Sequence, residues 1–273
     1  MKLLEGRTIP EVWLKAASYV NDCHRHEDLN VFLHVREPTV LEVADRDVWL
    51  AMDQFFSDHG AYSIHTVAET IFPLDCYEKG GAAGVYEDYP RRIKEIHAAR
   101  TDRGWGTYAH RLVRQKDRDG TLYNPLSDLV AKMKNYSKYV ASFELGVGPA
   151  IEEEICIYDG AIDRRPHYGG PCLSHLSFKS HKGAVHLNAT YRSHYYIRRL
   201  FGNMVGLGRL LYFISVETGL AIGSLTINST YAKADSGNGG QCGGRWTQKD
   251  LDRLLADCSK IYSDAQEREE MMT

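Results

Sequence analysis

No stretch of this chain approaches the roughly 20 consecutive apolar residues that cross a bilayer. The opening Met1-Lys2-Leu3-Leu4-Glu5 has too short an apolar run for a signal peptide. A cytosolic protein with no membrane partner is therefore expected. Excess charge of either sign is also lacking: the formal net charge is −3, so no bulk field draws the chain to nucleic acid or to an anionic membrane. The six cysteines show no C-x-x-C spacing, which argues against a zinc site and a disulfide framework and leaves reduced thiols as the expectation. Cys23-His24-Arg25-His26 gathers three metal-capable side chains, but further ligands cannot be placed, and the stretch reads as a surface helix end. There is no repeat at solenoid period and no linker or composition break, so residues 1–273 are read as a single domain. Its 43% hydrophobic content is enough for a sizeable core.

What is present is patterned. Residues 7–22 carry Ile9, Val12, Trp13, Ala16 and Val20 at helical spacing, with Thr8 and Pro10 marking a start. Further helical patterns fall at 48–58, 62–72 and 126–136. Residues 78–106 are charged and Gly-rich and read as a loop with at most one short helix, a plausible lid. Alternation over 137–145, 173–179 and 183–191 predicts three strands, the last two joined by a hairpin at His181-Lys182-Gly183. An apolar helix closes at Gly219, and "GSLTINSTYAKA" returns to strand. The Gly-rich "DSGNGGQCGGRW" then precedes an amphipathic helix at 247–266. Runs of helix followed by runs of strand predict an α+β fold.

The chemistry concentrates around Cys172 in "GGPCLSHLSF", between a Gly-Gly-Pro turn and an alternating run. Arg192-Ser193 follows 20 residues later, and Asn203 follows Arg192 by 11. Arginine beside serine can clamp a phosphate through charge-assisted hydrogen bonds. An asparagine amide donates and accepts at once, matching the O4 and N3–H edge of uracil. An acceptor-rich partner would suit cytosine better. A thiol, an anion clamp and a bidentate amide together describe a pyrimidine nucleotide site in which sulfur attacks the base.

The block from Pro171 to Gly223, with its Pro-Cys, Arg-Ser and Asn at these separations, resembles thymidylate synthase and its nucleotide hydroxymethylase relatives. Glu69 in "AETIF" resembles that family's catalytic glutamate, and Tyr108 in "GTYAHR" its active-site tyrosine. The resemblance implies a three-layer α+β sandwich with a mixed sheet used for homodimerisation. It also implies one-carbon transfer to C5 of a uracil nucleotide through a Cys172–C6 adduct, with 5,10-methylenetetrahydrofolate as donor. Hydride completion would give a 5-methyl product, and water a 5-hydroxymethyl product. Cys172 is then expected to have a lowered pKa, helped by Arg192.

Several positions depart from the family pattern. Tyr195 stands where the family has a folate-binding aspartate, and Arg198-Arg199-Leu200-Phe201-Gly202 replaces its Leu-Gly-x-Pro-Phe. Tyr231 and Lys233 fall where a His-x-Tyr pair contacts the sugar, leaving ribose against deoxyribose open. Lys138 and Tyr139 take the place of two arginines that reach across the dimer to the partner's phosphate, with Arg164 and Arg165 as further candidates for that anion. Two alternatives stay open at this point: a non-catalytic nucleotide-binding or regulatory dimer, and a cytosine nucleotide hydroxymethylase of specialised biosynthesis.

Overall fold

The computed structural model describes residues 1–98, 107–116, 119–136, 143–146, 172–236 and 244–272. The first strand β1 (Lys2–Gly6) leads into α1 (Ile9–Asp22), which ends at Cys23 in a single 3-10 turn, His24–His26. β2 (Glu27–Val35) follows, then α2 (Val43–Asp58) and α3 (Ile64–Glu69). A helical stretch comes next: α4 (Leu74–Ala83), a π turn at Gly84–Asp88 and α5 (Tyr89–Ala98). After α6 (Tyr108–Val113), the two-residue strands β3 (Gln115–Lys116) and β4 (Leu122–Tyr123) form a small ladder. α7 (Pro125–Asn135) and β5 (Glu144–Gly146) lead to the hairpin β6 (Leu173–His181) and β7 (Ala184–Tyr191). β8 (His194–Tyr195), α8 (Leu200–Thr218), β9 (Ala221–Lys233) and α9 (Gln248–Met272) complete the chain.

Strands pair in the order β1-β2-β9-β7-β6-β5, with β8 beside β9. The sheet is mixed: β1–β2, β7–β9 and β8–β9 are parallel, while β2–β9, β6–β7 and β5–β6 are antiparallel. Val31, Leu33 and Val35 of β2, Leu225 and Ile227 of β9, and Val185, Leu187 and Ala189 of β7 all point into the core, as a period of two requires. α1 and α8 lie on that face and are covered in turn by α2, α3 and α9. α8 is apolar nearly all round and buried along most of its length, with Tyr212 and Val216 left exposed near its end. The architecture is α+β, and no described helix is long and apolar enough to cross a membrane.

Most predicted elements are found with shifted ends. α2 starts earlier than its apolar pattern because Glu42 and Asp45 form a reciprocal capping box. The hairpin turn puts Lys182 at φ 50° and Gly183 at φ 79°, which is why glycine stands there. The loop expected at 78–106 is a correction: through residue 98 it is helical. Gly80 and Gly81 suggested a loop, and Gly81 does break the helix at φ 58°. Gly84, however, is there for packing, since a Cβ would lie 2.0 Å from the Cys76 carbonyl oxygen. Val85, Tyr89 and Ile93 bury the inner face of this segment. The strands β1 and β2 were not anticipated. Of the strand expected over 137–145, positions 137–142 lie outside the described residues, and β5 begins at Glu144.

Candidate active site

Cys172 sits at the bend that feeds β6, half-buried, so it is neither a strand core residue nor fully presented. β6 begins where β7 ends, because the two form a hairpin, and Arg192 N–H donates to the Cys172 carbonyl at 2.9 Å. The adjacent Leu173 N–H donates to the Tyr108 hydroxyl at 3.3 Å, which brings the first turn of α6 onto the same spot. Thr107 caps α6 through His110 N–H and lies 2.6 Å from the Tyr89 hydroxyl, so the phenol of Tyr108 is held by a braced helix start. β7 ends here beside Ser229 of the parallel strand β9, which runs on to Lys233. Thr230 Oγ1 donates to the carbonyls of Tyr191 and Arg192, at 3.2 and 2.9 Å. Arg192, Ser193, Tyr231 and Lys233 thus share one end of the sheet with Cys172.

Burial pushes the Cys172 thiol above its ordinary value, and the charges of Arg192 and Arg199 act in the opposite direction. This corrects the lowered pKa expected from the sequence: desolvation outweighs the arginines. Burial also moves the Tyr108 phenol up to about 12, reinforced by the nearby Cys172 charge. Tyr191 is fully buried, and its hydroxyl has no hydrogen-bond partner among the described residues.

Asn203, on the first turn of α8, is 5% exposed. Its amide nitrogen lies 2.9 Å from His194 Nε2, and His194 Nδ1 lies 3.0 Å from Ser229 Oγ. The Tyr191 ring stacks on His194 at 3.9 Å, and Tyr191 pairs across the hairpin with Leu173, the residue after Cys172.

Glu69 ends α3 in a neighbouring cluster. Its Oε1 accepts from Arg209 Nη1 at 3.0 Å and from Leu74 N–H at 3.1 Å. Burial raises its pKa, with Arg209 opposing. His65 lies 3.9 Å from Glu69 and 3.8 Å from Asp75, a set that could hold a cation, but the Arg209 guanidinium already lies against Glu69 and against His65 Nδ1 at 3.1 Å. A cavity of about 240 Å³ opens beside Glu69, lined also by Asp75, Cys76, Tyr89, Arg92 and Thr107. The two clusters are tied by backbone: Ala109 N–H, next to Tyr108, donates to the carbonyl of Thr70, next to Glu69.

Tyr231 donates to Glu27 Oε2 at 2.6 Å, and Lys233 lies 3.6 Å from the same oxygen. Lys138, Arg164 and Arg165 lie outside the described residues. Sequence reasoning missed Arg199, Tyr191, His194 and Arg209. Only Arg209 carried a clear signal, as a charge within an apolar helix.

No family model matches the chain, and no curated protein matches it. Among solved structures, a thermostable thymidylate synthase A from Bacillus subtilis is similar over 76% of this chain at 10% identity, with a TM-score of 0.46. The match takes in 65% of that enzyme, less than two thirds of its length.

Proposed function

We propose that this chain transfers a one-carbon unit to C5 of a uracil nucleotide. The observation that carries this reading is the half-buried Cys172 thiol under the influence of two arginines, with the Tyr108 hydroxyl bonded to the next residue. Sulfur adds to C6 of the pyrimidine, the ring electrons move onto O4, and C5 becomes nucleophilic enough to capture a one-carbon electrophile. Tyr108, and Glu69 through water, handle protons at O4 and C5. Asn203 holds the base edge. Arg192 and Ser193 hold the phosphate, joined by Lys138, Arg164 and Arg165, the last three from a second copy in a homodimer. Tyr231 and Lys233 face the sugar.

The residues present do not fit methylenetetrahydrofolate in the family's manner. Tyr195, where the aspartate would stand, is 44% exposed and lies along Arg198, whose guanidinium is bound to the buried Asp235 at 2.5 Å. The donor is therefore left as a methylene-level one-carbon carrier. C5 loses its proton and the carrier departs to leave an exocyclic methylene. Either water converts this to hydroxymethyl, or a hydride delivered by the carrier converts it to methyl, as sulfur leaves C6. A second reading, a nucleotide-binding dimer without turnover, is favoured by two observations: the raised thiol and the hold of Arg209 on Glu69.

Mass spectrometry after incubation with dUMP, UMP, dCMP or CMP, with and without methylenetetrahydrofolate, separates the two. The expected outcome is a one-carbon gain on a uracil nucleotide, with tritium released from C5 and both signals absent in Cys172→Ala. Unchanged mass and retained tritium with all four nucleotides would place the binding reading first.

A further inference from the structure

His194 is a buried titratable group to which the proposed chemistry gives no part. It is 2% exposed, stacked on Tyr191 at an interplanar angle of 10° and met edge-on by Tyr196 at 5.7 Å. These rings fix the plane of the imidazole. Its two nitrogens are both engaged, Nδ1 with Ser229 Oγ and Nε2 with the Asn203 amide nitrogen. An amide nitrogen donates and does not accept. With the amide nitrogen facing it, Nε2 accepts and the ring proton sits on Nδ1, where it is donated to Ser229; turning the amide over would require the ring tautomer and the Ser229 hydroxyl to reverse with it. An imidazolium would set N–H against N–H at Asn203. Burial works the same way, holding the ring neutral down to about pH 3.

The sense of the Asn203 amide is thus coupled to the ring tautomer and the Ser229 hydroxyl, and in this structure its nitrogen faces His194 with Oδ1 turned away. We infer that His194 is the positioning residue that locks this amide and thereby makes the site choose between uracil and cytosine. The inference rests on the proposed role of Asn203 as base reader. Uracil offers an acceptor at position 4 and a donor at N3. Cytosine offers a donor at position 4 and an acceptor at N3, the same two places with roles exchanged. An amide free to turn over satisfies either base, whereas an amide pinned by its nitrogen satisfies one and leaves an unpaired polar contact with the other. Asparagine alone is thus a poor discriminator. The Ser229–His194–Asn203 chain supplies the missing constraint.

The test compares dissociation constants for dUMP and dCMP in the wild type, His194→Phe, His194→Gln and Ser229→Ala, with the His194 nitrogens followed by NMR. The wild type is expected to favour dUMP by at least about 100-fold, in line with sites built to bond a particular donor. His194→Phe keeps a ring in the stack but no nitrogen, and should bring the ratio within about 10-fold, mainly by gaining dCMP. His194→Gln offers a carbonyl to the Asn203 amide but can itself turn over, so it should restore selectivity in part, which a purely space-filling role would not predict. If His194→Phe fails to fold, Ser229→Ala, which frees Nδ1, carries the test through a partial loss of the ratio. Unchanged selectivity in folded variants, or a proton found on Nε2, overturns the inference while leaving the proposed function intact. If the wild type binds neither nucleotide, the proposed function falls and this inference falls with it.

Discussion

Burial and charge pull the Cys172 thiol in opposite directions, and burial prevails. Because the group is an acid, a raised pKa means that the neutral thiol dominates at neutral pH and the thiolate appears only as pH climbs above the ordinary 9.0. Alkylation by iodoacetamide, followed on the Cys172 peptide by mass spectrometry, should show a rate midpoint above about pH 9. Arg192→Ala removes a charge that favours the anion, so its midpoint should lie higher still. Its alkylation at neutral pH should be slower, by about tenfold for each pH unit that the midpoint rises. A midpoint below about pH 8 would mean that the arginines, and not desolvation, govern the sulfur. At this scale the sequence was partly readable. Cys172, Arg192 and Asn203 stood out by spacing, and the sheet end brings the first two together through the backbone bond between them. His194 did not, because a histidine just past an alternating run reads as an ordinary strand or turn residue until its two ring neighbours, Asn203 and Ser229 are seen. The thiol's pKa was misjudged for a related reason: a neighbouring arginine is visible in sequence, and desolvation is not.

Between elements, the decisive contact is that of α3 with α8, since α3 carries Glu69 and α8 carries both Asn203 and Arg209. A Cβ at Gly202 would lie 2.5 Å from Val67 Cβ, and one at Gly206 would lie 2.8 Å from the Ala68 carbonyl oxygen. The helices approach this closely only because α8 has no side chain there. Gly202→Ala should therefore cost about 1–3 kcal/mol in urea denaturation, the range for an overpacked interface. Val67→Gly in the same chain, which removes both the Cβ and the Cγ1 that the new methyl meets, should recover part of that, because the two positions share the clash. Full additivity of the two substitutions would show that the helices part without strain. The glycines also show why element types were easier to read than element ends and contacts. Helical and alternating periods reveal α1, α7, α8, β6, β7 and β9. The same residue type, glycine, marks a helix break at Gly81 and a close approach at Gly84, and only the distance to Cys76 tells them apart. β2 was missed although Val31, Leu33 and Val35 alternate, because its first half is polar and half-exposed.

At the scale of the whole molecule, the described residues give the sheet two unlike faces. Helices stack on one. On the other, His34, Thr226, Asn188, Ser177 and Glu144 stand in register across β2, β9, β7, β6 and β5, half-buried or exposed. Their polar groups are tied sideways: His34 to Thr226 at 3.0 Å, Ser177 to Glu144 at 3.0 Å, His175 to Glu144 at 2.8 Å, and Lys179 to Glu144. A sheet with one wet face is stable without a partner, so the proposed homodimer is a property of this face and not a requirement of the fold. If two copies meet there, sedimentation at micromolar concentration should show a dimer. A charge at the middle of the row, Asn188→Arg, would then face its own kind or lie beside it in an isologous interface. It should split the dimer while leaving the monomer folded, because Asn188 is exposed and outside the core. The same variant separates two roles for the phosphate ligands. Loss of nucleotide affinity together with dissociation would mean that the second copy completes the anion site, as the proposed use of Lys138, Arg164 and Arg165 requires. A wild type that sediments only as monomer and still binds nucleotide would remove the partner from that site and assign the phosphate to Arg192 and Ser193 of the same chain.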